Sequence, residues 1–142
     1  MIRYLLDTDH ISLLKRNNLA VHRRLRSLGK SQTFVSVVTI EEQVKGWLRE
    51  INDASSKGSS DRLCSSYRAL GDAVSYLNLF ERADFDMNAQ ECFLNFRQQG
   101  IRIGTLDLRI ASIALLGDFV LVSRNRKDFD YVPNLKLEQW DM

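Results

Sequence analysis

Proline occurs once and glycine only seven times in 142 residues, so nothing in the composition points to a disordered or low-complexity chain. Cysteine is almost as scarce. Cys64 and Cys92 lie in segments that read as helical, without metal-ligand spacing, and are expected to be reduced, buried thiols of a cytosolic protein. No stretch approaches the roughly 18 apolar residues of a membrane span. The first apolar run is short and broken by Asp7, unlike a secretory leader. The expectation is a soluble, cytoplasmic protein. A net charge of +2 is too small to mark a nucleic-acid binder by itself, and no repeat of fixed period is visible.

What is present suits one globular domain, residues 1–142, with 44% apolar composition and a single sizeable core. The charge is unevenly placed. Up to residue 30, Arg3, Lys15, Arg16, Arg23, Arg24, Arg26 and Lys30 face only Asp7 and Asp9, and a second basic cluster is Arg124, Arg126 and Lys127. Such clusters are either solvated helix faces or a basic rim that attracts a polyanion.

Strand-like and helix-like segments alternate. IRYLL (2–6), TFVSVV (33–38) and FVLVS (119–123) read as buried strands, LKLEQW (135–140) as an edge strand, and RADF (82–85) as a short one. Between them, helices are expected from Thr8 or Asp9 to about Arg16, over Leu19–Leu28, from Thr39 to about Ile51 and from Asp61 to Phe80. Two more should run from Asn88 to Gln99, stopped by Gly100, and from about Leu106 to Gly117. NDASSKGSS (52–60) reads as a flexible loop. Apolar strands alternating with helices predict an α/β fold, a parallel sheet covered on both faces.

Sites in such sheets form beyond the carboxyl ends of the strands. Asp7 directly follows the first strand, Glu42 lies early in the helix after the second, and Asp128 lies shortly beyond the strand at 119–122, after Asn125. Asp107 opens a helix after GIRIGT. Each has a plainer reading. Thr39-Ile40-Glu41-Glu42 fits a capping box, Asp107 suits a helix dipole, and Asp128 suits a turn. Asp7 is hardest to dismiss, because it interrupts an apolar strand at the functional edge of the sheet. Were the four to meet, they would repel unless a cation joined them. Oxygen-only ligation favours Mg²⁺ or Mn²⁺ over Zn²⁺.

Four blocks, YLLDTDHISLL, VSVVTIEEQVKGW, GIRIGTLDLRIASIAL and LVSRNRKDFDYVPNLKLEQW, span Tyr4 to Trp140 and resemble, in order, PIN-domain nucleases. The likeness is strongest to the VapC-type toxins of bacterial toxin–antitoxin pairs. It implies a PIN-like fold, a small parallel sheet sandwiched by helices, and a metal-dependent endoribonuclease site built from acids. By this resemblance Asp7, Glu42, Asp107 and Asp128 are the catalytic acids and ligands of Mg²⁺, which Mn²⁺ can replace, with Glu42 and Asp128 able to act through water. Ser123 and Asn125 match a polar pair that would hydrogen-bond the acids or a metal-bound water, and Thr8 is a further supporting polar residue. Many members carry Asn where this chain has Asp9; the acid either adds charge to the site or caps the following helix, and capping is the favoured role.

The resemblance also implies water as nucleophile, leaving a 5′-phosphate and a 3′-hydroxyl. Single-stranded or loop RNA is the expected substrate, and Arg124, Arg126 and Lys127 are candidate RNA contacts. A VapB-type antitoxin and a homodimer are the implied partners. Two alternatives use the same residues. LLDTDH also resembles the opening of haloacid-dehalogenase-like phosphatases, with Asp7 as nucleophile and Asp9 as general acid, although Ile11 stands where that family has Thr or Val. The other alternative is a catalytically silent RNA- or protein-binding PIN domain.

Overall fold

Five short strands order the chain: β1 (Tyr4–Leu6), β2 (Thr33–Ser36), β3 (Glu81–Ala83), β4 (Val120–Val122) and β5 (Lys136–Glu138). In the computed structural model, which describes residues 1–142, they form one sheet in the order β3-β2-β1-β4-β5, every neighbouring pair parallel. Parallel pairing requires crossovers, and helices supply them. These are α1 (Thr8–Lys15), α2 (Leu19–Arg26), α3 (Val37–Ser56), α4 (Ser60–Leu77), α5 (Met87–Gln98), α6 (Thr105–Leu116) and the single turn α7 (Arg126–Phe129).

Alternating strand residues feed two apolar clusters. Leu5 and Leu121 point into one with α5 and α6 residues such as Phe93, Phe96, Leu108 and Ile110. Tyr4, Leu6, Val35 and Val122 point into the other with Ile11, Leu14, Val21, Leu77 and Trp140. Leu5, Leu6 and Leu121 are fully enclosed, each worth about 2 kcal/mol of apolar burial. The expected α/β sandwich is the architecture observed, with β5 at an edge.

Helix ends differ from the sequence expectation. The carboxylate of Asp7, not Thr8 or Asp9, caps α1, accepting the His10 N–H. α3 starts two residues earlier than expected, because Ser36 caps it by accepting the Thr39 N–H. Thr39 is therefore inside the helix, and the Thr39–Glu42 capping box does not form. The expected loop at 52–60 shrinks to a tight turn: α3 continues to Ser56, Gly58 takes φ +64°, and α4 begins at Ser60. Enclosed Ala54 and Ile51 anchor this polar stretch, and Arg62 ties α4 back to Asp53 at 2.9 Å. Gly100 ends α5 in the left-handed region, φ +86°. Cys64 is exposed and Cys92 half-buried, so the expectation of two buried thiols fails, although both are free. α4 keeps Cys64 on its outer face. No helix is long and apolar enough to cross a membrane.

Candidate metal centre

The strand order turns at β1 and β4, since the chain moves outward through β2 and β3 on one side and through β5 on the other. Crevices form at such a reversal, beyond the carboxyl ends of the strands. A cleft of about 490 Å³ is found there, lined by Asp7, Thr8, Asp9, Glu42, Asp107, Arg124 and Asn125, none of them hydrophobic. A larger cleft, of about 710 Å³ and lined by Arg3, Phe34, Phe119 and residues of α5, contains none of the sequence-predicted site residues.

Asp7 stands where β1 gives way to α1. Its backbone N–H donates to the Val122 carbonyl at the end of β4, which fixes the residue across the strand reversal. Its Oδ1 accepts from the His10 N–H at 2.8 Å, and His10 Nδ1 lies 3.1 Å from the same oxygen. Both side-chain hydrogen bonds of Asp7 fall on Oδ1, none on Oδ2, and Asp7 lines the cleft. Glu42, freed from capping, accepts from the Thr8 hydroxyl at 2.8 Å; that hydroxyl also lies 3.3 Å from Thr39 Oγ1.

Asp107 enters in the first turn of α6. Burial and the charges of Glu42, Asp7 and Asp128 push its carboxyl up from 3.8 to about 6, against the lowering effect of an Asn125 hydrogen bond. Asp7, Glu42 and Asp107 line the one cleft, and Asp128 stands near enough for its charge to act on Asp107. Asn125 joins two of them: its Nδ2 lies 3.4 Å from Asp107 Oδ2 and 3.0 Å from Asp128 Oδ2. Asp128, on α7, is outside the lining of the cleft and faces it through Asn125.

Other expectations need correction. Ser123 is buried and its hydroxyl makes no hydrogen bond to any of the four acids; it accepts the Asn125 backbone N–H at 3.0 Å and so shapes the loop that presents Asn125. Asp9 does not cap α1. Arg124 grips it with two bonds, Nε–Oδ2 at 2.6 Å and Nη2–Oδ1 at 2.8 Å, and reaches Asp141 at 3.4 Å. The hydrogen bond to Asp9 holds the guanidinium further above its ordinary range. Of the three basic residues only Arg124 lines the cleft; Arg126 and Lys127 are exposed on α7, and Arg126 pairs with Asp130 at 3.5 Å.

Sequence reading passed over His10, which is fully enclosed, and Trp140, whose backbone N–H lies 3.3 Å from His10 Nε2. The only local signal was a histidine three residues after Asp7 on an otherwise apolar helix face. Ligand atoms of Asp7, Asp9 and His10 fall within 4.8 Å of one another. That trio is a poor cation site, since both Asp9 oxygens are engaged by Arg124 and both His10 ring nitrogens have partners. The cleft between Asp7, Glu42 and Asp107 offers carboxylate oxygens as donors, and burial followed by the neighbouring acids raises the Asp107 carboxyl to about 6. This donor set suits a hard divalent cation.

No family model matches the chain. It is similar to Ribonuclease VapC2 of Rickettsia felis, 39% identical over 70 residues, a match covering 46% of this chain and 52% of that protein. It is also similar to the tRNA(fMet)-specific endonuclease VapC of Salmonella typhimurium, 22% identical, with 99% of each chain covered. Among solved structures, VapBC-1 of nontypeable Haemophilus influenzae aligns over 100% of both chains with a TM-score of 0.73 and 26% identity. In sequence and in fold, the chain is similar to VapC proteins of VapBC pairs.

Proposed function

We propose that the protein is the toxin of a toxin–antitoxin pair, an endoribonuclease that hydrolyses RNA phosphodiester bonds with Mg²⁺ or Mn²⁺. The observation that carries the reading is that Asp7, Glu42 and Asp107 line one crevice, with Asp128 joined to its edge by the Asn125 side chain. Two relatives named as a ribonuclease and a tRNA endonuclease support the substrate class.

Asp7, Glu42 and Asp107 would hold the ion directly, Asp128 through water. A divalent ion supplies a nucleophilic water at neutral pH and offsets charge on the reacting phosphate. The chain's own part is orientation. Two donors on Oδ1 of Asp7 leave Oδ2 for the cleft, Thr8 sets Glu42, and Asn125 spans Asp107 and Asp128. With water attacking phosphorus and the 3′-oxygen leaving, the products would carry a 5′-phosphate and a 3′-hydroxyl. RNA loops or single strands fit best, because their bases are accessible, with Arg126 and Lys127 contacting the backbone beside the cleft. An antitoxin of the VapB type would inhibit by covering the cleft, and the active form would be a homodimer. Asp9 is unsuited to the general-acid role of the phosphatase alternative, since both its oxygens are tied to Arg124.

The test is incubation of a cellular RNA pool with the purified protein in Mg²⁺, in EDTA and as Asp7→Asn, with the cut ends sequenced. Asn also caps helices well, so the variant should fold. Cuts bearing 5′-phosphates, lost in EDTA and at least ~100-fold reduced in the variant, are expected. A folded, metal-loaded protein that cuts no RNA would move the reading to a silent binding domain. Cuts that persist in Asp7→Asn would remove the carboxylate site.

A further inference from the structure

His10 is completely enclosed, yet neither ring nitrogen is idle. Nε2 faces the backbone N–H of Trp140 at 3.3 Å. A backbone N–H can only donate, so Nε2 must present its lone pair. The proton of the neutral ring then sits on Nδ1, directed at Asp7 Oδ1, 3.1 Å away. With the His10 backbone N–H at 2.8 Å on the same oxygen, Oδ1 is held by two donors.

The far end of this relay is built into the C-terminal segment. Trp140 is 4% exposed and packs edge-on against Tyr4 (ring centroids 5.4 Å apart) and His10 (6.5 Å). Its indole N–H donates to Glu138 at 3.1 Å. The next residue, Asp141, accepts from Gln139 at 2.8 Å and from Arg124 at 3.4 Å, and Arg124 grips Asp9. Residues 138–141, just past the edge strand, thus brace both acids of the Asp7-Thr8-Asp9 turn.

We propose that His10 is a positioning residue: held in its Nδ1–H tautomer by the Trp140 backbone, it aims the free oxygen of Asp7 into the cleft. It is not itself a ligand, because its lone pair is directed at Trp140 and its other nitrogen carries the proton. Groups that orient a ligating side chain in this way typically matter 10- to 100-fold in metal affinity. The role rests on the metal-binding reading of the cleft.

Two measurements test it. In metal-free protein with ¹⁵N-labelled histidine, NMR of the His10 ring should show a protonated Nδ1 and a bare Nε2; the opposite tautomer would overturn the proposal whatever the cleft binds. Mn²⁺ alone is then titrated into wild type, His10→Asn, His10→Gln and His10→Leu, with folding checked by circular dichroism. An asparagine amide donates from nearly the place of Nδ1, so His10→Asn should stay within about threefold of wild type. Gln and Leu should lose about tenfold or more. Equal losses in all three variants, or none in a folded His10→Leu, would refute positioning through Nδ1 while leaving the cleft intact. A wild type that binds no Mn²⁺ would overturn the cleft reading and this proposal with it.

Discussion

Replacing Asp107 with asparagine should stabilise the metal-free protein, although it removes a proposed ligand. The carboxyl is raised from 3.8 to about 6, chiefly by burial and then by the charges of Glu42, Asp7 and Asp128. The folded state therefore binds this proton more tightly than the unfolded chain does. Its contribution to stability is full below about pH 4, falls between about pH 4 and 6, and stays lost above. The gap between the two values converts to at most ~3 kcal/mol. Asp107 is only half-buried, so solvent screening reduces this to ~1–2 kcal/mol. For a chain of this length that is a rise in Tm of roughly 3–6 °C. Asparagine imitates the protonated acid and can still bond Asn125. Thermal unfolding in EDTA should show the variant more stable than wild type at pH 7.5, with the difference vanishing near pH 4. Added Mg²⁺ should stabilise wild type more than the variant and narrow the gap from the other side. A difference that is the same at both pH values, or a less stable variant at pH 7.5, would refute the argument from convergent charge.

Two substitutions away from the acids probe how the scaffold holds them. Gly117→Ala would place a Cβ 2.6 Å from Phe119 Cδ2, so urea unfolding should show a loss of about 1–3 kcal/mol. Ser36→Ala removes the cap of α3 and should cost about 1 kcal/mol by the same assay. Because Thr39 stands between Ser36 and Thr8, it should also weaken Mn²⁺ binding through Glu42, which is read by titration.

The strands were legible because runs such as TFVSVV and FVLVS are apolar on both sides, and only a sheet covered on both faces buries such runs. Their order along the chain placed Asp7 and Asn125 at the carboxyl edge before any coordinates. Helix starts were less legible. Several oxygen-bearing residues stood at each start, and the one that caps is decided by backbone geometry: Asp7 over Thr8 and Asp9, Ser36 over Thr39. Polarity misled at 52–60, where Ala54 is buried like Ile51 just before it although serines surround it in sequence. Gly117 stands at the expected end of its helix. The left-handed residue there is Asp118, φ +53°, and Gly117 is needed for its missing side chain against Phe119. The relay from Trp140 to His10 joins residues 130 apart, and no local pattern carries such information.

The arrangement of charge explains why stability and the proposed activity separate in this fold. An RNA phosphate has the same sign as Asp7, Glu42, Asp107 and Asp128, so the cleft alone repels the substrate proposed for it. The one cation on the lining, Arg124, is already engaged by Asp9 and Asp141. Arg126 and Lys127 are exposed on α7 outside the lining, where they can attract a backbone without neutralising the acids. Substrate capture and catalysis would then depend on a divalent cation that offsets the negative charge at the centre. Both apolar clusters are built from hydrophobic side chains of the strands, the helices and the segments between them, and the four acids lie outside them. Losing the ion should therefore silence the site while leaving the sheet in place.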